Sequence, residues 1–322
     1  MFDKDYKNEE VVIRHHRIGP GESKLIKVAI DRLPTGTMIE IPVYVFNAKE
    51  PGPSILLQAG LHGDEVNGVD ILRQMLSKDY FRLRRGCVVV VPLLNVFGFL
   101  NFSRNLHGKD VNRSFPGSKR GSLASRVAYY HIKEIAENID FAIDYHTGGD
   151  QRNNYPQVRY TEGSEVGRKL AEIFHAPYSF ASPLIAKSFR KEADKNGIPV
   201  IVFEGGESKR FDKFAAREGI AGALRVLAHF GMIDSALAPP PSRKMITLTK
   251  RRWIRAKTSG LFTTTIDNGD KVEKGQCIAY ITDTYGETLT EVITPFSGYI
   301  FCVNNDPVVN MGEALFHLGT GA

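Results

Sequence analysis

Cysteine is scarce in this chain, and its few cysteines are not spaced for a shared role. Only Cys87, Cys277 and Cys302 occur among 322 residues, and none belongs to a Cys-x-x-Cys pair. Their mostly apolar neighbours are typical of small buried side chains. This distribution argues against a disulfide framework and against a zinc site built from thiolates.

Long apolar runs are also missing. No stretch approaches the roughly 18 apolar residues that a membrane-spanning helix needs. The polar first ten residues lack the apolar centre of a signal peptide. We therefore expect a cytoplasmic protein with no membrane partner. The apolar fraction of 42% and the charged fraction of 24% are those of an ordinary globular chain that buries a core.

The chain carries a moderate excess of positive charge, +6 at pH 7. Its densest basic stretch, residues 250–255, has no accompanying nucleic-acid recognition motif, and its alternation is typical of a solvated strand. We therefore expect no nucleic-acid partner, and a mild positive excess suits small anionic substrates. The run at 19–24 lacks the Gly-Lys-Ser/Thr ending of a phosphate-binding loop.

Predicted strands alternate with predicted helices in the first part of the chain. The strands cover residues 25–30, 38–45, 53–60, 87–92, 141–145 and 199–203, and the helices cover 65–76, 123–138 and 164–174. This alternation predicts an α/β domain with a largely parallel sheet. Ligands bind beyond the carboxyl ends of the strands in such sheets, and His62, Glu65, His146 and Glu204 all follow predicted strands.

A proline run marks a boundary near residue 240. Pro239, Pro240 and Pro241 stiffen the chain, as in a linker between domains. Beyond them helical periodicity disappears, and short β-like runs alternate with glycine turns. We therefore predict a first domain of residues 1–235, a linker of residues 236–245 and a small all-β domain of residues 246–322.

Three residues form the strongest functional signal. His62 and Glu65 lie three residues apart in a glycine-containing run, and His146 follows a separate strand. Two histidines and a glutamate are the ligand set of a catalytic zinc site that keeps one position open for water. His107 competes as third ligand, although its polar neighbours favour a place near the cleft. Asp144 either orients a ligand histidine or caps a turn.

Hydrolysis at such a site also needs a base and groups that bind the substrate. Glu204 ends a predicted buried strand, where a carboxylate is costly without a purpose, and Glu207 is the second candidate. Arg113 suits bidentate binding of a carboxylate, and Asn112 adds a directional hydrogen bond. Arg104, nine residues earlier, is a candidate for polarising the scissile carbonyl and stabilising an oxyanion.

Four segments in this order resemble the succinylglutamate desuccinylase/aspartoacylase family, which is related to the zinc carboxypeptidases. They are residues 60–65, 110–113, 144–148 and 203–206, within a likeness that spans roughly residues 25–235. The resemblance implies a zinc carboxypeptidase-like α/β/α fold with a mostly parallel mixed sheet and one zinc ion per chain. It also implies zinc ligands at His62, Glu65 and His146, a catalytic acid/base at Glu204, and substrate-carboxylate binding by Asn112 and Arg113.

The last eighty or so residues resemble the barrel-sandwich hybrid domain of biotinyl and lipoyl carriers. Residues 268–276 and 294–298 carry this likeness. Carrier domains present a lysine on the intervening hairpin, but here residues 282–287 contain none, so we expect no covalently attached cofactor. The resemblance implies that this domain shapes or shields the entrance to an active site.

These features favour a zinc-dependent amidohydrolase that removes an acyl group from an N-acylated amino acid with metal-activated water. Such an amidohydrolase would be of the desuccinylase, deacetylase or aspartoacylase type. One alternative is a zinc carboxypeptidase that acts on small peptides. A non-catalytic ligand-binding protein is a third, disfavoured because every ligand and base position is filled. The acyl group, the amino acid and a possible homo-oligomer stay open.

Overall fold

A twelve-stranded mixed sheet extends through most of the molecule. The computed structural model describes residues 6–7, 9–137 and 139–321. The strands are β1 (Val11–Ile13), β2 (His16–Ile18), β3 (Ser23–Arg32), β4 (Met38–Asn47), β5 (Glu50–Gln58), β6 (Arg85–Val91), β7 (Phe141–Gly148), β8 (Arg152–Thr161), β9 (Tyr178–Ser182), β10 (Val200–Glu207), β11 (Ile246–Arg255), β12 (Gly260–Thr264), β13 (Lys271–Val272), β14 (Cys277–Thr282), β15 (Thr288–Ile293), β16 (Gly298–Asn304), β17 (Val308–Val309) and β18 (Ala314–Gly321). The α-helices are α1 (Val66–Ser77), α2 (Val96–Leu100), α3 (Leu123–Tyr130), α4 (Glu165–Phe174), α5 (Phe189–Lys195) and α6 (Lys213–His229).

The strand order brings several carboxyl ends to one edge. The order is β13-β16-β18-β11-β9-β8-β10-β7-β5-β6-β4-β3. At its centre β6, β5, β7 and β10 run parallel to one another. β8 runs antiparallel to β10 and parallel to β9. The ends of β5, β7 and β10 therefore lie side by side, where open α/β sheets bind ligands.

Helices cover both faces of the central strands, because those strands are apolar on both sides. On one face α1, α4 and α6 bury Leu72, Phe174 and Leu227 against the sheet. On the other face α3 and α5 contribute Val127 and Phe189 to a second core. The structure therefore confirms the predicted α/β fold class.

Polar side chains cap two of the three helices in the first of these layers, α4 and α6. The carboxylate of Asp212 accepts hydrogen bonds from the amides of Phe214 and Ala215, both at 2.9 Å, at the start of α6. At the start of α4, Ser164 Oγ accepts a hydrogen bond of 3.0 Å from the amide of Gly167. Such caps satisfy amide groups that have no partner within the helix itself.

Most elements expected from the sequence are present, with shifted ends. They are β3 to β7, β10, α1, α3 and α4. The predicted helix of residues 123–138 divides into α3 and a π-helical turn at His131–Ile135. Its predicted end at residue 138 lies outside the described residues.

The sequence did not predict β8, β9 or α6. β8 contains Asn153, Asn154 and Pro156, whose intrinsic preferences oppose a strand, and its neighbours in the sheet stabilise it instead. α6 is 17 residues long and buries residues around most of its circumference, so a one-sided apolar stripe is weak. No helix in the described ranges, α6 included, is long and apolar enough to cross a bilayer.

The strands after residue 245 form a second sheet and also extend the first. The second sheet has the order β15-β14-β12-β17, and Ile278, Ile281 and Leu315 lie in the core beneath it. β11 pairs in parallel with β9, and β16 pairs antiparallel with β8. The regular elements described in this part are all strands. Of these, β11, β13, β16 and β18 belong to the large sheet itself, and Ile254 and Ile300 of that sheet share a core with the second sheet. The limits of the two domains and the linker stay predictions.

His131, in the π-helical turn after α3, is a fully buried titratable group. Its ring lies edge-on to Phe115 and Phe189, with centroids 5.8 Å and 4.7 Å away. Neither ring nitrogen has a hydrogen-bond partner among the described residues. Burial lowers the pKa of His131 to about 4, although the charge of Asp144 acts in the opposite direction. The ring is therefore neutral in the folded protein at pH 7.

We expect this histidine to make folding stability depend on pH. Because an unfolded histidine titrates near pH 6.5, its stabilisation is complete above that pH and is lost as the pH falls toward about 4. Between pH 7 and pH 5, the metal-free wild type should lose about 2 kcal/mol more stability than metal-free His131→Leu. Urea unfolding at both pH values measures the difference, and parallel losses would contradict the expectation.

Candidate active site

The loop that carries the first two candidate ligands depends on two glycines. Gly60, after β5, has a φ of 63°, a left-handed conformation that favours glycine. A Cβ atom on Gly63 would lie 1.9 Å from the backbone carbonyl carbon of Gly98 in α2. The loop can therefore turn sharply and pack against α2. This packing holds His62 and Glu65 at the carboxyl edge of the sheet.

His62, Glu65 and His146 lie together, and their ligand atoms are all within 4.8 Å of one another. Glu65 Oε1 is 2.7 Å from His62 Nδ1, and Glu65 Oε2 is 2.7 Å from His146 Nδ1. All three side chains are buried. His146 lies within β7, which continues to Gly148, and not after the strand as the sequence suggested.

Each histidine faces an aspartate with its other ring nitrogen. His146 Nε2 lies 2.9 Å from Asp144 Oδ2, and His62 Nε2 lies 3.3 Å from Asp110 Oδ1. A carboxylate on the far nitrogen is the usual partner of a metal-bound histidine, because it leaves the near nitrogen free to bind the metal. The donor set therefore fits a zinc ion held by the two Nδ1 atoms and Glu65. Asp144 makes the contact expected of a residue that orients a ligand.

Opposite charges compensate for the burial of this group. Burial raises the pKa of Glu65, but His62 and His146 together lower it well below its ordinary value. Burial lowers the pKa of His146, but Asp144 and Glu65 raise it well above its ordinary value. The buried carboxylate thus needs a positive partner, and a divalent cation bound there would supply that charge in place of the histidine protons.

A cavity of about 280 Å³ contains the three candidate ligands and the other predicted site residues. The predicted residues that line it are His62, Glu65, Arg104, Asn112, Arg113, His146 and Glu204. Glu204 lies within β10 and not beyond its end. Glu207, the second candidate base, is not in the lining, and its Oε2 accepts a hydrogen bond of 2.6 Å from Asn305. His107 is exposed and packs against Phe97, also outside the cavity.

Arg104 lies directly beside the candidate metal ligands. Its Nη1 is 3.3 Å from Glu65 Oε1, and its Nη2 is 3.2 Å from Asp110 Oδ2. Two carboxylates therefore hold the guanidinium at the wall of the cavity. Burial raises the pKa of Asp110, but its contacts with His62 and the charge of Arg104 lower it overall. This charge arrangement suits a group that stabilises negative charge next to the metal.

Asn112 and Arg113 follow Asp110 in a short 3-10 turn. Asp110 Oδ1 begins the turn by accepting a hydrogen bond of 2.7 Å from the amide of Asn112. Asn112 Oδ1 accepts a hydrogen bond of 2.9 Å from the amide of Phe189, and Asn112 is part of the cavity lining. Arg113 is exposed, and its Nη1 donates to the carbonyl oxygen of Asn112 at 2.7 Å. Both residues therefore belong to the wall of the cavity.

Arg190, at the start of α5, is a cavity residue that the sequence did not single out. Its Nη1 donates to Ser182 Oγ at 2.8 Å, and its Nη2 donates to the carbonyl oxygen of Pro183 at 2.7 Å. No ion pair joins it to a carboxylate of the described chain. Burial and the neighbouring Arg159 lower the pKa of Arg190. The sequence feature that could have indicated Arg190 is Ser188, because a serine that caps α5 places Arg190 in the first turn of that helix.

Further cavity residues come from parts of the chain whose role the sequence left open. Asn154 and Arg159 lie on β8, and Trp253 and Cys302 lie on the C-terminal strands β11 and β16. Sequence periodicity could not find them, because they reach the cavity only through long-range pairing of these strands with the central sheet.

The fold and the cavity together define an α/β protein with a candidate metal site of two histidines and one glutamate at the carboxyl ends of its strands. The family model of the succinylglutamate desuccinylase/aspartoacylase catalytic domain matches residues 51–230. The chain belongs to this family. The match covers the segments on which the sequence resemblance rested.

Named relatives support this assignment. The chain is 28% identical over 292 residues to an N-alpha-acetyl-L-2,4-diaminobutyric acid deacetylase from Halomonas elongata, which covers 86% of this chain and 84% of the relative. A solved succinylglutamate desuccinylase/aspartoacylase from Rhodobacter sphaeroides is 23% identical, with a TM-score of 0.80 over 99% of this chain and 98% of that chain. The product-bound ectoine utilization protein EutE (DoeB) from Ruegeria pomeroyi is 21% identical, with a TM-score of 0.81 over 98% and 99%. These two structures share the fold along nearly the whole chain.

We expect Asp144→Asn to weaken zinc binding by about 10- to 100-fold, because the far nitrogen of His146 loses its carboxylate partner. His146→Ala should bind no zinc at the site, since a ligand is removed. Competition with a chromophoric chelator measures the affinities. His107→Ala is the matched control and should bind zinc as the wild type does. Equal affinity of the wild type and Asp144→Asn would contradict the expectation.

Proposed function

We propose that this chain is a zinc-dependent amidohydrolase that removes the acyl group from an N-acylated amino acid. The observation that carries the proposal is the set of side chains that line one small cavity. The candidate ligands, the carboxylate of Glu204 and the cations Arg113 and Arg190 all line it. Family membership and the deacetylase from Halomonas elongata support the same class of reaction.

A zinc ion held by His62, Glu65 and His146 would polarise an amide carbonyl and lower the pKa of water toward about 7. Glu204 accepts a proton from the water whose oxygen forms the new bond to the carbonyl carbon. It then gives that proton to the amide nitrogen as the carbon–nitrogen bond breaks. The products are the free acid of the acyl group and the free amino acid.

Arg104 stabilises the negative charge that develops on the carbonyl oxygen. Its guanidinium is held by Glu65 and Asp110 at 3.2 to 3.3 Å, so its position is set before the substrate binds. Preorganised charge of this kind stabilises a transition state more than the ground state, because it needs no reorganisation during the reaction.

Arg113, Arg190 and Asn112 bind the carboxylate of the amino-acid substrate. Arg190 uses two of its five N–H groups on neutral oxygens, and the remaining three are available to an anion. A buried guanidinium without a carboxylate partner is costly, and a bound carboxylate removes that cost. The charge of the cavity therefore favours an N-acyl amino acid with a free carboxylate.

A zinc carboxypeptidase would use similar groups, but the size of the cavity favours the smaller substrate. Its volume of about 280 Å³ is at the lower limit for ligand pockets in general. Trp253 and Cys302, from the C-terminal strands, form part of its wall. Release of C-terminal residues from peptides would favour the carboxypeptidase instead.

We expect the zinc-loaded protein to release free amino acid from at least one member of a panel of N-acetyl, N-succinyl and other N-acyl amino acids. Glu204→Gln should keep its zinc and lower kcat by about 10²- to 10⁴-fold, because glutamine cannot accept the proton. Appearance of primary amine measures the rate, and metal analysis confirms loading. A zinc-loaded wild type that is inert across the panel would refute the proposed function.

We expect Arg190→Gln to raise KM by about 10- to 100-fold for a substrate with a free carboxylate, since a charge-assisted hydrogen bond is lost. The effect should shrink when the substrate carboxylate is converted to an amide. Lys191→Gln, the neighbouring residue of α5 outside the cavity lining, is the control. Equal KM ratios for the acid and the amide would show that Arg190 does not bind the carboxylate.

A further inference from the structure

The carboxylate of Glu204 is held by two side chains of β8. Arg159 Nη1 lies 2.7 Å from Glu204 Oε1, and Arg159 Nη2 lies 2.9 Å from Glu204 Oε2. Asn154 Nδ2 donates to Glu204 Oε2 at 2.5 Å. Both carboxylate oxygens therefore have donors, and the two arginine contacts have the forked geometry that fixes a carboxylate in plane.

Strand pairing explains why these side chains meet. β8 and β10 are antiparallel neighbours in which Arg159 lies opposite Val202, two residues before Glu204. The register then shifts between Glu204 and Gly206, which lies opposite Asn154. An irregularity of this kind bends a strand and redirects a side chain, and it is frequent beside active sites. Here it brings Glu204 within reach of both donors.

The two donors are themselves held in place. The guanidinium carbon of Arg159 lies 5.4 Å from the ring centroid of Phe180, a cation–π contact. Arg251 contacts the same ring at 4.1 Å but donates to a backbone carbonyl and does not line the cavity. The backbone of Asn154 pairs with Cys302 of β16, so the C-terminal region supports this donor.

We propose that Arg159 and Asn154 are positioning residues, which hold the carboxylate of Glu204 in the one orientation from which it exchanges a proton with water and with the leaving nitrogen. The inference rests on the proposed function of Glu204. Proton transfer requires a heavy-atom distance of about 2.6–3.2 Å. A carboxylate free to rotate on its flexible side chain spends little time at that distance. A misplacement of about 1 Å can lower a rate by about 10²-fold.

Kinetics of Arg159 variants test the positioning role. Arg159→Ala should lower kcat by about 10²-fold and change KM by less than about 3-fold, since orientation is lost and substrate binding is not. Arg159→Lys should recover little, because an ammonium group cannot form the fork. Arg251→Ala, which removes the other cation on Phe180, should keep the wild-type kcat.

Chemical rescue separates positioning from general damage to the fold. Guanidinium ion at non-denaturing concentration should restore part of the kcat of Arg159→Ala, because it can occupy the space left by the side chain. It should restore nothing in Glu204→Gln or in the double variant. A larger KM at unchanged kcat would overturn the proposal, since Arg159 would then bind the substrate itself. Failure of rescue in a folded Arg159→Ala protein would also overturn it.

A double-mutant cycle in thermal unfolding gives a readout that does not depend on activity. Arg159→Ala should lower Tm by about 3 °C in the wild type, because Glu204 is left without its charged partner, and by much less in Glu204→Gln. If Arg159→Ala lowers Tm equally in the wild type and in Glu204→Gln, the proposed pairing of Arg159 with Glu204 is overturned, even if the enzyme is active. If the coupling is present but no N-acyl amino acid is hydrolysed by the zinc-loaded wild type, the proposed function fails and the positioning role fails with it.

Discussion

The site depends on a buried carboxylate whose two oxygens face histidines from distant parts of the chain. Glu65 contacts His62, which lies three residues earlier in the chain, and His146, which lies more than eighty residues later. A buried charge is tolerated only when its partners are held at close distance. The pairing of Gln58 with Asp144 in β5 and β7 sets this distance, and Gln58 Nε2 also donates to Asp144 Oδ1 at 2.9 Å. The register of the central sheet therefore helps to build the candidate metal site.

The two halves of the sheet supply different parts of the site around this carboxylate. The loop after β5 and the strand β7 carry the candidate metal ligands, whereas β8, β11 and β16 carry groups that contact Glu204 or line the cavity wall. The two halves meet between β10 and β8, where the strand direction reverses. Glu204 lies on β10, at that junction, and so contacts donors from the second half while facing the ligands of the first. The fold thereby brings the proposed acid/base and the candidate metal ligands into one small cavity.

The fold class, and the fact that the seven candidate site residues share one cavity, could be anticipated from the sequence because these residues lie in short, local patterns; their roles stay predictions. Gly60, His62, Gly63 and Glu65 form one such pattern, since a turn at a strand end needs glycines beside the ligands. Arg190 and Arg159 could not be found this way. A lone arginine in a polar stretch is usually a surface residue, and only tertiary pairing makes these two cavity residues. β8 was missed for the same reason, because Pro156 and the asparagines oppose a strand when read locally.

The backbone hydrogen bonds that join β11 to β9 and β16 to β8 have a consequence for how the chain can be divided. They make the C-terminal strands a continuation of the sheet on which the site is built, so the chain on either side of Pro240 shares one hydrogen-bonded surface. A protein cut after residue 245 would lose the pairing partners of Arg152, Asn153 and Asn154 in β8 and of Tyr178 and Ser179 in β9. Because an open strand edge can pair with another chain, we expect such a protein to aggregate. Solubility of the catalytic region is thus a property of the whole chain.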